Sequence, residues 1–488
     1  MQCFIGLGSC FLSLGKYRNA HEHGEKALSI AMKTGNRLGE AKAYCILGEV
    51  RYSLLDYQTA KIYNEKQIFI STEIGHRRQK AMAYLVKAMI LRCGKQNKAV
   101  ECIEKALLIF STIGDIRGDF EALAQLSYIK VLQSKFQEAE SHLRECIAKY
   151  EKLRHSLHGN EQFQVSLLDT RGLFPYKMLS ELLCHSTNPK EALYAEELTR
   201  ARCLAESMAL NFSAENHISS DPKSWFGIEE ISRKEENCTF LYISYHDRIV
   251  RLWVLKSNGD TLFRSSEEVD DKTLIAEKAF NLNSFFDQDL RGFGILPAHK
   301  CEDRSLSETM PISLHHQSEA DLRGEETPKT TRRLNLCSKL IITPVADLLT
   351  EPEIVIVPER SLYRVPFAAL RDQSDGRYIS ETHRIRIVPS LTTLKLIQDC
   401  PADFHRETGA VVVGDPKVGK VYYMGDERTF VPLHCARKEA EMIGELLRVQ
   451  PLLGERAKKQ EVLQAMNSVS LIHIAAHGNA ERGEIALS

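Results

Sequence analysis

The sequence predicts a two-part fold, an α-helical solenoid followed by an α/β/α sandwich. Residues 1–158 repeat a helical pattern with a period of about 40 residues, and a fixed period of that length is typical of solenoids. From about Cys238 onwards, short apolar segments alternate with amphipathic ones, as the strands and helices of a layered α/β domain do. The hydrophobic pattern thus changes its period once along the chain.

Small residues mark the repeats of the first part. They are Ala20, Ala60, Ala99 and Ala139, with Gly35, Gly75 and Gly114 in a second constant phase. In each unit the apolar residues fall at i, i+3, i+4 and i+7 in two runs, which predicts a pair of helices. The pattern resembles the tetratricopeptide repeat, in a form of about 40 residues rather than the usual 34. We therefore expect four repeats over residues 1–158 and an additional helical pair over 159–213, with helices at 161–186 and 188–212.

Tetratricopeptide arrays carry no chemistry and bind peptides or partner helices in a concave groove, so the resemblance implies a protein or peptide partner here. If the usual groove positions apply, six residues line the groove: Lys42, Cys45, Glu49, Met82, Leu85 and Met89. For each of them taken singly, solvent exposure or core packing is an alternative role.

The second part begins with CTFLYISYHDRIVRLWVLKSNGDTLF, which predicts a meander of two or three strands with turns at 246–248 and 258–260. Residues 297–333 are polar and poor in aromatics, which predicts a disordered insertion. Four strands follow, in EIVIVP, RIRIVP, GAVVVG and VSLIHIAA, separated by helices at 333–349, 391–399, 435–448 and 458–467. Such an alternation indicates a mostly parallel sheet covered on both faces.

One stretch of this part imitates a phosphate-binding loop. The segment from Gly414 to Lys420 matches G-x-x-x-x-G-K after a strand. Val421 stands where the motif needs a hydroxyl, and the following VYYMGDERTF is β-like, whereas a phosphate site needs a helix N-terminus there. We expect a turn after the strand and no bound nucleotide.

His477 ends the last apolar run, LIHIAA, and is followed by Gly478. Catalytic groups of open α/β sheets gather outside the carboxyl ends of the strands. A glycine at that place lets a substrate backbone approach closely or permits an unusual turn. His473 lies within the same strand, and we interpret it as a core histidine hydrogen-bonded to backbone. A core role is also the alternative for His477 when it is considered alone.

Seven segments together resemble CHAT domains, which are caspase-like cysteine-peptidase domains often found after tetratricopeptide repeats. They are LIITPVADLL, IVIVPERSLYRVPFAALRD, YISETHRIRIVPSLTTLKLI, VVVGDP, CARKEAEMIGELL, LLGERAKKQEVL and LIHIAAHG. The resemblance implies a CHAT domain over residues 225–488, with His477 as the histidine of a His/Cys dyad and Gly478 beside it.

The same resemblance implies that the dyad is incomplete. A thiolate attacks the scissile carbonyl and the imidazole transfers protons, and in caspases the nucleophile follows its histidine by about 50 residues. Residues 478–488 contain no cysteine, and Cys400 and Cys435 match no nucleophile position of the family. We therefore expect a truncated sandwich with a bare sheet edge, and no peptidase activity in this chain.

Composition narrows the function further. Lys plus Arg is 64 against 65 for Asp plus Glu, so no net charge draws the chain to nucleic acid or a membrane surface. The thirteen cysteines show no metal-type spacing and read as reduced thiols of a cytoplasmic protein. We expect no cofactor or metal, and an interaction scaffold with an inactive peptidase-like domain. The alternative is a fragment of an active cysteine endopeptidase that is regulated through its repeats.

Overall fold

The computed structural model describes residues 1–92, 94–156, 173–186, 188–211, 228–287, 304, 306, 328–372, 376–400, 408–423, 426–479 and 483–488. The chain forms two compact units. The first consists of Met1–Glu236, Trp253–Phe263 and Val388–Leu396, and the second of Asn237–Leu252, Arg264–Ile387 and Ile397–Ser488. The predicted boundary lay between residues 213 and 225. None of the described helices combines the length and the apolar character that crossing a membrane requires.

Eight helices form the repeats. They are α1 (Gln2–Ser13), α2 (Tyr17–Lys33), α3 (Arg37–Ser53), α4 (Tyr57–Glu73), α5 (Arg77–Leu91), α6 (Gln96–Ile113), α7 (Ile116–Leu132) and α8 (Phe136–His155). Each helix packs on the next one, and the odd-numbered helices also contact each other, α1 with α3, α3 with α5 and α5 with α7. The predicted helical pairs are confirmed, and the odd-numbered helices form one layer of a two-layer array.

The repeated small residues determine this packing. Ala20, Ala60, Ala99 and Ala139 are each 0% exposed. A Cβ at Gly8 would lie 3.6 Å from the carbonyl oxygen of Ala20, and one at Gly48 would lie 3.7 Å from that of Ala60. The same close approach therefore recurs in successive repeats.

Turns between the helices also repeat. Gly35, Gly75 and Gly114 have φ of 65°, 66° and 70°, the left-handed conformation that ends helices and favours glycine. In each case the following helix starts two residues after the glycine. Side chains of Asn36, His76 and Asp115 accept hydrogen bonds from backbone N–H groups of its first turn. The repeat period is thus built into helix-ending and helix-starting residues as well as into the core.

After the repeats come α9 (Leu173–His185), α10 (Pro189–Glu197) and α11 (Arg202–Asn211), and later α12 (Ile228–Arg233). The predicted helical pair is therefore three helices among the described residues. The helix expected over 188–212 is interrupted between α10 and α11, where Ala201 has φ of 49°. The start of the helix expected at 161 lies outside the described residues.

The strands of the second part are β1 (Cys238–His246), β2 (Ile249–Lys256), β3 (Thr261–Ser265), β4 (Glu353–Val357), β5 (Arg384–Ile387), β6 (Ala410–Pro416), β7 (Lys420–Tyr423), β8 (Asp426–Thr429), β9 (Leu452–Gly454), β10 (Leu471–Ala475), β11 (Gly478–Asn479) and β12 (Glu484–Ile485). Its helices are α13 (Asp271–Ala276), α14 (Leu282–Phe286), α15 (Pro328–Cys337), α16 (Ile379–Thr382), α17 (Leu391–Gln398), α18 (His434–Leu447) and α19 (Lys459–Met466). The meander and the four later strands are where the sequence predicts them.

These strands form two larger sheets rather than the single sheet that the alternation predicts. One has the order β3-β2-β1-β4-β5 and the other the order β10-β6-β9, and β7-β8 and β11-β12 form two-stranded pairs. The pairs β1 with β4, β4 with β5, β6 with β10 and β6 with β9 are parallel, as expected. Close packing holds the smaller sheet to its helix, since a Cβ at Gly414 of β6 would lie 2.3 Å from the Cβ of Ala440 in α18.

The predicted disordered insertion needs correction at its described residues. Helix α15 begins at Pro328 and continues as a π-helical turn over Ser338–Ile342 and a 3-10 helix over Thr343–Leu348, so 328–333 are helical. Leu306 is 4% exposed, and the backbone of Arg304 and Leu306 is hydrogen-bonded to Gly478. Average composition predicts disorder here but misses individual residues that tertiary contacts hold. The remainder of 297–327 lies outside the described residues.

Candidate active site in the second unit

The candidate site lies at the carboxyl end of β10. This strand forms because Val411 and Val413 of β6 and Ile474 of β10 contribute to one apolar cluster. In the parallel register His473 lies opposite Val412, and Ala475 lies opposite Gly414. Ala475 is buried, whereas Leu471 and Ile472 at the start of the strand are 41% and 45% exposed. The strand thus brings His477 to the end of the sheet where catalytic groups gather.

The imidazole of His477 is only 4% exposed and has one polar contact. Its Nε2 lies 3.1 Å from the carbonyl oxygen of Val431, and its ring centroid lies 5.1 Å from that of Phe430. A carbonyl oxygen only accepts hydrogen bonds, so Nε2 carries the proton of the neutral ring and Nδ1 carries the lone pair. Nδ1 is buried without a hydrogen-bond partner among the described residues. This nitrogen is therefore the atom that could accept a proton.

Asp415 supports the loop that carries this contact. One carboxylate oxygen accepts the backbone N–H of Leu433 at 2.7 Å, and the other accepts Nε of Arg437 at 3.0 Å. The aspartate is buried and adopts φ of 47° at the end of β6. Sequence reasoning assigned this residue only to a turn. Its position at the end of an apolar run indicated a functional or structural role for the carboxylate. The sequence did not indicate its partners, because they are distant along the chain.

Gly478 is enclosed by backbone on two sides. It pairs with Ile485 in the antiparallel β11–β12 pair, and a Cβ on it would lie 3.3 Å from the carbonyl oxygen of Glu484. Its N–H also donates to the carbonyl oxygen of Arg304 at 2.7 Å, and its own carbonyl accepts the N–H of Leu306 at 2.9 Å. The sequence suggests that a substrate backbone approaches here, which stays a prediction; in the structure the backbones beside Gly478 are segments of the same chain.

His473 does not have the role the sequence suggested. Its side chain is 27% exposed, and Nε2 lies 3.1 Å from a carboxylate oxygen of Glu439 in α18. Glu439 also accepts a hydrogen bond from Arg304 at 2.8 Å. The Arg304 hydrogen bond, together with the charges of Arg304 and His473, keeps the pKa of Glu439 below its usual value despite partial burial. The carboxylate of Glu439, which ionises readily, therefore lies beside the strand that leads to His477.

No thiol completes a dyad among the described residues, because none is hydrogen-bonded to Nδ1 of His477. Cys435, in the first turn of α18, is exposed, and Cys400 is half-buried. Within the described part of the chain, no group of three or more His, Cys, Asp or Glu side chains is arranged to hold a metal ion. Among the described residues the arrangement therefore offers a proton acceptor, Nδ1 of His477, without a nucleophile, and the N–H of Gly478 is already bonded to Arg304.

The predicted groove residues divide between surface and core. Lys42, Glu49, Met82 and Met89 on α3 and α5 are half-buried. Leu85 is 2% exposed and belongs to the core cluster beneath α5, α6 and α7, so it offers no surface to a partner. Cys45 is 8% exposed. Burial, with the nearby Glu49 carboxylate, raises the pKa of its thiol well above the usual range.

One further cluster on these helices escaped the sequence reasoning. The guanidinium of Arg92, directly after α5, lies 5.5 Å from the ring centroid of Tyr52 in α3 and 4.9 Å from that of Tyr128 in α7. Cation–π pairs of this kind span three consecutive odd-numbered helices. The three residues are of different types and belong to different repeats, so the recurring small residues do not indicate the cluster.

The segment that imitates a phosphate-binding loop has the predicted β-structure. Gly419 has φ of 69° in the connection between β6 and β7, and Lys420 begins strand β7 of the β7–β8 hairpin. Lys420 lies 3.9 Å from the carboxylate of Glu427 across the hairpin. The helix N-terminus that would hold a phosphate therefore does not follow this segment in the described residues.

Comparisons with known proteins agree with this architecture. The family model of the CHAT domain matches residues 331–488. The chain is 23% identical over 420 residues to tetratricopeptide repeat protein 28 of Mus musculus and 22% identical over 423 residues to that of Homo sapiens. Each alignment covers 70% of this chain and 17% of the relative, so the chain spans about a sixth of the length of these curated relatives.

Solved structures similar to parts of the chain include the apo form of RapI, with 15% identity and a TM-score of 0.29 over 47% of this chain and 82% of that chain. A putative kinesin light chain of Podosopora anserina with nearly identical TPR-like repeats has 18% identity and a TM-score of 0.31 over 42% of this chain and 95% of that chain. The chain thus consists of a helical repeat region followed by a mixed-sheet region; it is similar in sequence to tetratricopeptide repeat proteins, and its residues 331–488 match the CHAT domain.

Proposed function

We propose that this protein is an interaction scaffold whose helical array binds a protein or peptide partner, and that its CHAT domain has no peptidase activity in the 488-residue chain. The array supports the first half of the proposal. Its odd-numbered helices contact each other in sequence and carry half-buried side chains of mixed character, Lys42, Glu49, Met82 and Met89, on two neighbouring helices. An extended peptide or an amphipathic helix would find both charged and apolar contacts there.

The second half of the proposal, the absence of peptidase activity, is supported by the unpartnered Nδ1 of His477. A His/Cys dyad needs the thiol within hydrogen-bond reach of the imidazole, and no described thiol is bonded to this nitrogen. An imidazole alone contributes general acid–base catalysis of about 10²–10⁴-fold, far below what peptide hydrolysis requires. The scattered cysteines further support a reducing, cytoplasmic location.

Substitutions on the array test the scaffold function. Proteins retained by the full chain are identified, and their retention is compared with that by the Lys42→Glu/Glu49→Lys double variant. We expect at least one partner to be lost, whereas Lys26→Glu, an exposed charge change on α2, leaves it bound. If the double variant retains all partners, and substitutions within 331–488 abolish their retention, the array is not the binding surface.

A hydrolysis assay tests the inactivity. The full chain is incubated with a mixed peptide-substrate library, and the His477→Ala variant is assayed in parallel. We expect no turnover by either protein. Turnover that is present in the full chain and lost in His477→Ala would show that a nucleophile is present, and Cys435→Ala would then be the next variant.

One observation favours the alternative, that the chain is part of an active cysteine endopeptidase regulated through its repeats. Strand β10 is at the end of the order β10-β6-β9, and its Leu471 and Ile472 are exposed. A further parallel strand would cover them and could bring a cysteine to the same end of the sheet. The genomic sequence beyond the codon for Ser488 tests this alternative, which requires a cysteine about 50 residues after His477.

A further inference from the structure

The connection between β2 and β3 carries the one Asn-Gly pair of the chain, Asn258-Gly259, and Asn258 is exposed. Glycine has no Cβ, so nothing shields its backbone nitrogen from the side-chain amide of the preceding asparagine. When that nitrogen attacks Cγ of the asparagine, a cyclic imide forms and the side-chain nitrogen is lost. Asparagine is a thermolabile residue for this reason. The pair therefore has the covalent arrangement that spontaneous deamidation requires.

Both polar atoms of the Asn258 side chain contact Asp260. Oδ1 accepts the backbone N–H of Asp260 at 2.9 Å, and Nδ2 donates to its carboxylate at 2.7 Å. An N–H directed at a carbonyl oxygen stabilises the negative charge that develops on this oxygen during attack, as an oxyanion hole does. The carboxylate lies on the nitrogen that leaves as ammonia, where it can relay a proton. Asp260 thus contacts both atoms whose charge changes in the reaction.

The attacking nitrogen also has a defined environment. The N–H of Gly259 donates to the carbonyl oxygen of Lys256 at 2.9 Å, which fixes the position of the nitrogen. The guanidinium of Arg233 packs against the same glycine, since a Cβ on Gly259 would lie 2.7 Å from Nη2 and 2.8 Å from Nε of the arginine. A cation so close stabilises the anion that forms when the nitrogen loses its proton.

We propose that Asn258 is a site of non-enzymatic deamidation that Asp260 and Arg233 accelerate. Solvent hydroxide takes the proton of the Gly259 N–H, and the nitrogen bonds to Cγ of Asn258. The Cγ–Nδ2 bond then breaks, and Nδ2 leaves as ammonia with a proton from water that the Asp260 carboxylate relays. Water opens the cyclic imide at either carbonyl, which gives aspartate or isoaspartate. The net change is the addition of water and the loss of ammonia.

The product alters the turn in which it forms. A carboxylate replaces the amide that donates to Asp260, so two negatively charged acceptors face each other at the place of the former hydrogen bond. Isoaspartate also adds a methylene group to the main chain. The hydrogen bond from Gly259 to Lys256 should therefore be weakened, and the Gly259 amide should exchange its hydrogen faster in the aged chain and in Asn258→Asp.

The experiment follows the unaltered full chain at physiological pH and temperature, with digestion and mass spectrometry at intervals. We expect Asn258 to convert at least about tenfold faster than Asn283 and Asn467, which are each followed by a serine. Isoaspartate must form, because direct hydrolysis of the amide gives only aspartate. A synthetic peptide with the sequence of residues 254–263, VLKSNGDTLF, lacks Arg233 and the fold. It should convert at least about threefold more slowly than the chain.

Variants then separate acceleration by the neighbours from the reactivity of any Asn-Gly pair. Asp260→Asn keeps the backbone N–H but removes the carboxylate, and Arg233→Gln removes the cation. Each should slow the conversion at least about fivefold. The matched controls are Glu268→Gln and Lys272→Gln, at exposed residues outside the turn, and they should leave the rate unchanged. Conversion in the chain that is slower than in the peptide would overturn the proposal. So would a product without isoaspartate, unchanged rates in Asp260→Asn and Arg233→Gln, or a Gly259 amide that exchanges equally slowly before and after conversion.

Discussion

Two buried polar groups, one in each unit, differ in how their hydrogen-bonding atoms are partnered. Where the array ends, Arg202 donates two hydrogen bonds to the carboxylate of Glu151, both at 2.8 Å, and a third at 3.1 Å to Glu206. Arg202 and Glu151 are 7% and 6% exposed. In the second unit, His477 is buried as deeply, yet its Nδ1 has no partner among the described residues.

The difference separates a polar group that stabilises the fold from an atom that adds no stability of its own. A buried charge is tolerable only if it is paired. Arg202 and Glu151 each supply the opposite charge and the hydrogen bonds that the other needs. An unpaired buried nitrogen costs free energy and contributes nothing to the fold.

The largest expected effect follows from breaking the paired cluster. Arg202→Ala leaves Glu151 buried without its partner, and the free energy of unfolding should fall by about 3–5 kcal/mol. Urea unfolding of the full chain, followed by the helical circular-dichroism signal, measures the loss. Lys26→Ala, which removes an exposed pair with Glu22 on α2, should leave the transition unchanged. If the double variant Glu151→Gln/Arg202→Met were less stable than Arg202→Ala, the penalty would not come from the unpaired carboxylate.

A buried carboxylate in the first unit should make stability depend on pH. Burial raises the pKa of Glu197 from 4.5 to about 6, although its carboxylate accepts the N–H and hydroxyl of Thr392. The folded state thus holds the proton more tightly than the unfolded state. The group's contribution is most favourable below pH 4.5 and is lost as pH rises through 6.

This rise of about 1.5 pKa units corresponds to about 2 kcal/mol. We expect the difference in unfolding free energy between the unaltered chain and Glu197→Gln to change by about that amount between pH 4.5 and pH 7, with the unaltered chain losing relative stability as pH rises. Urea titrations of both proteins at several pH values measure it. A constant difference across this range would mean that Glu197 titrates as an ordinary carboxyl.

The smallest effect is expected at the candidate site. His477→Phe loses one hydrogen bond to Val431 but also removes the unpaired nitrogen, so the unfolding free energy should change by less than about 1 kcal/mol. Asp415→Ala, at a buried carboxylate of the same unit with both oxygens bonded, should cost about 1–3 kcal/mol. Thermal unfolding followed by near-ultraviolet circular dichroism measures both. A His477→Phe loss as large as that of Asp415→Ala would mean that the histidine is structural.

Much of the fold was predictable from local sequence. The recurring alanines and glycines specify helix pairs, because each repeat presents the same close contact to its neighbour. Strands β4, β5, β6 and β10 were readable as short apolar runs. The position of His477 at the end of β10 followed from the same apolar pattern.

Only the tertiary structure decided what surrounds these residues. The carbonyl of Val431 selects the tautomer of His477, Asp415 holds the adjoining loop, and Glu439 links Arg304 to His473. Leu85, which the resemblance to tetratricopeptide repeats places in the groove, is in the core, since neighbouring helices cover its face of α5. Periodicity reports how each element contacts its neighbours along the chain. Partners separated by tens or hundreds of residues leave no periodic trace, so their contacts are determined only when the elements pack.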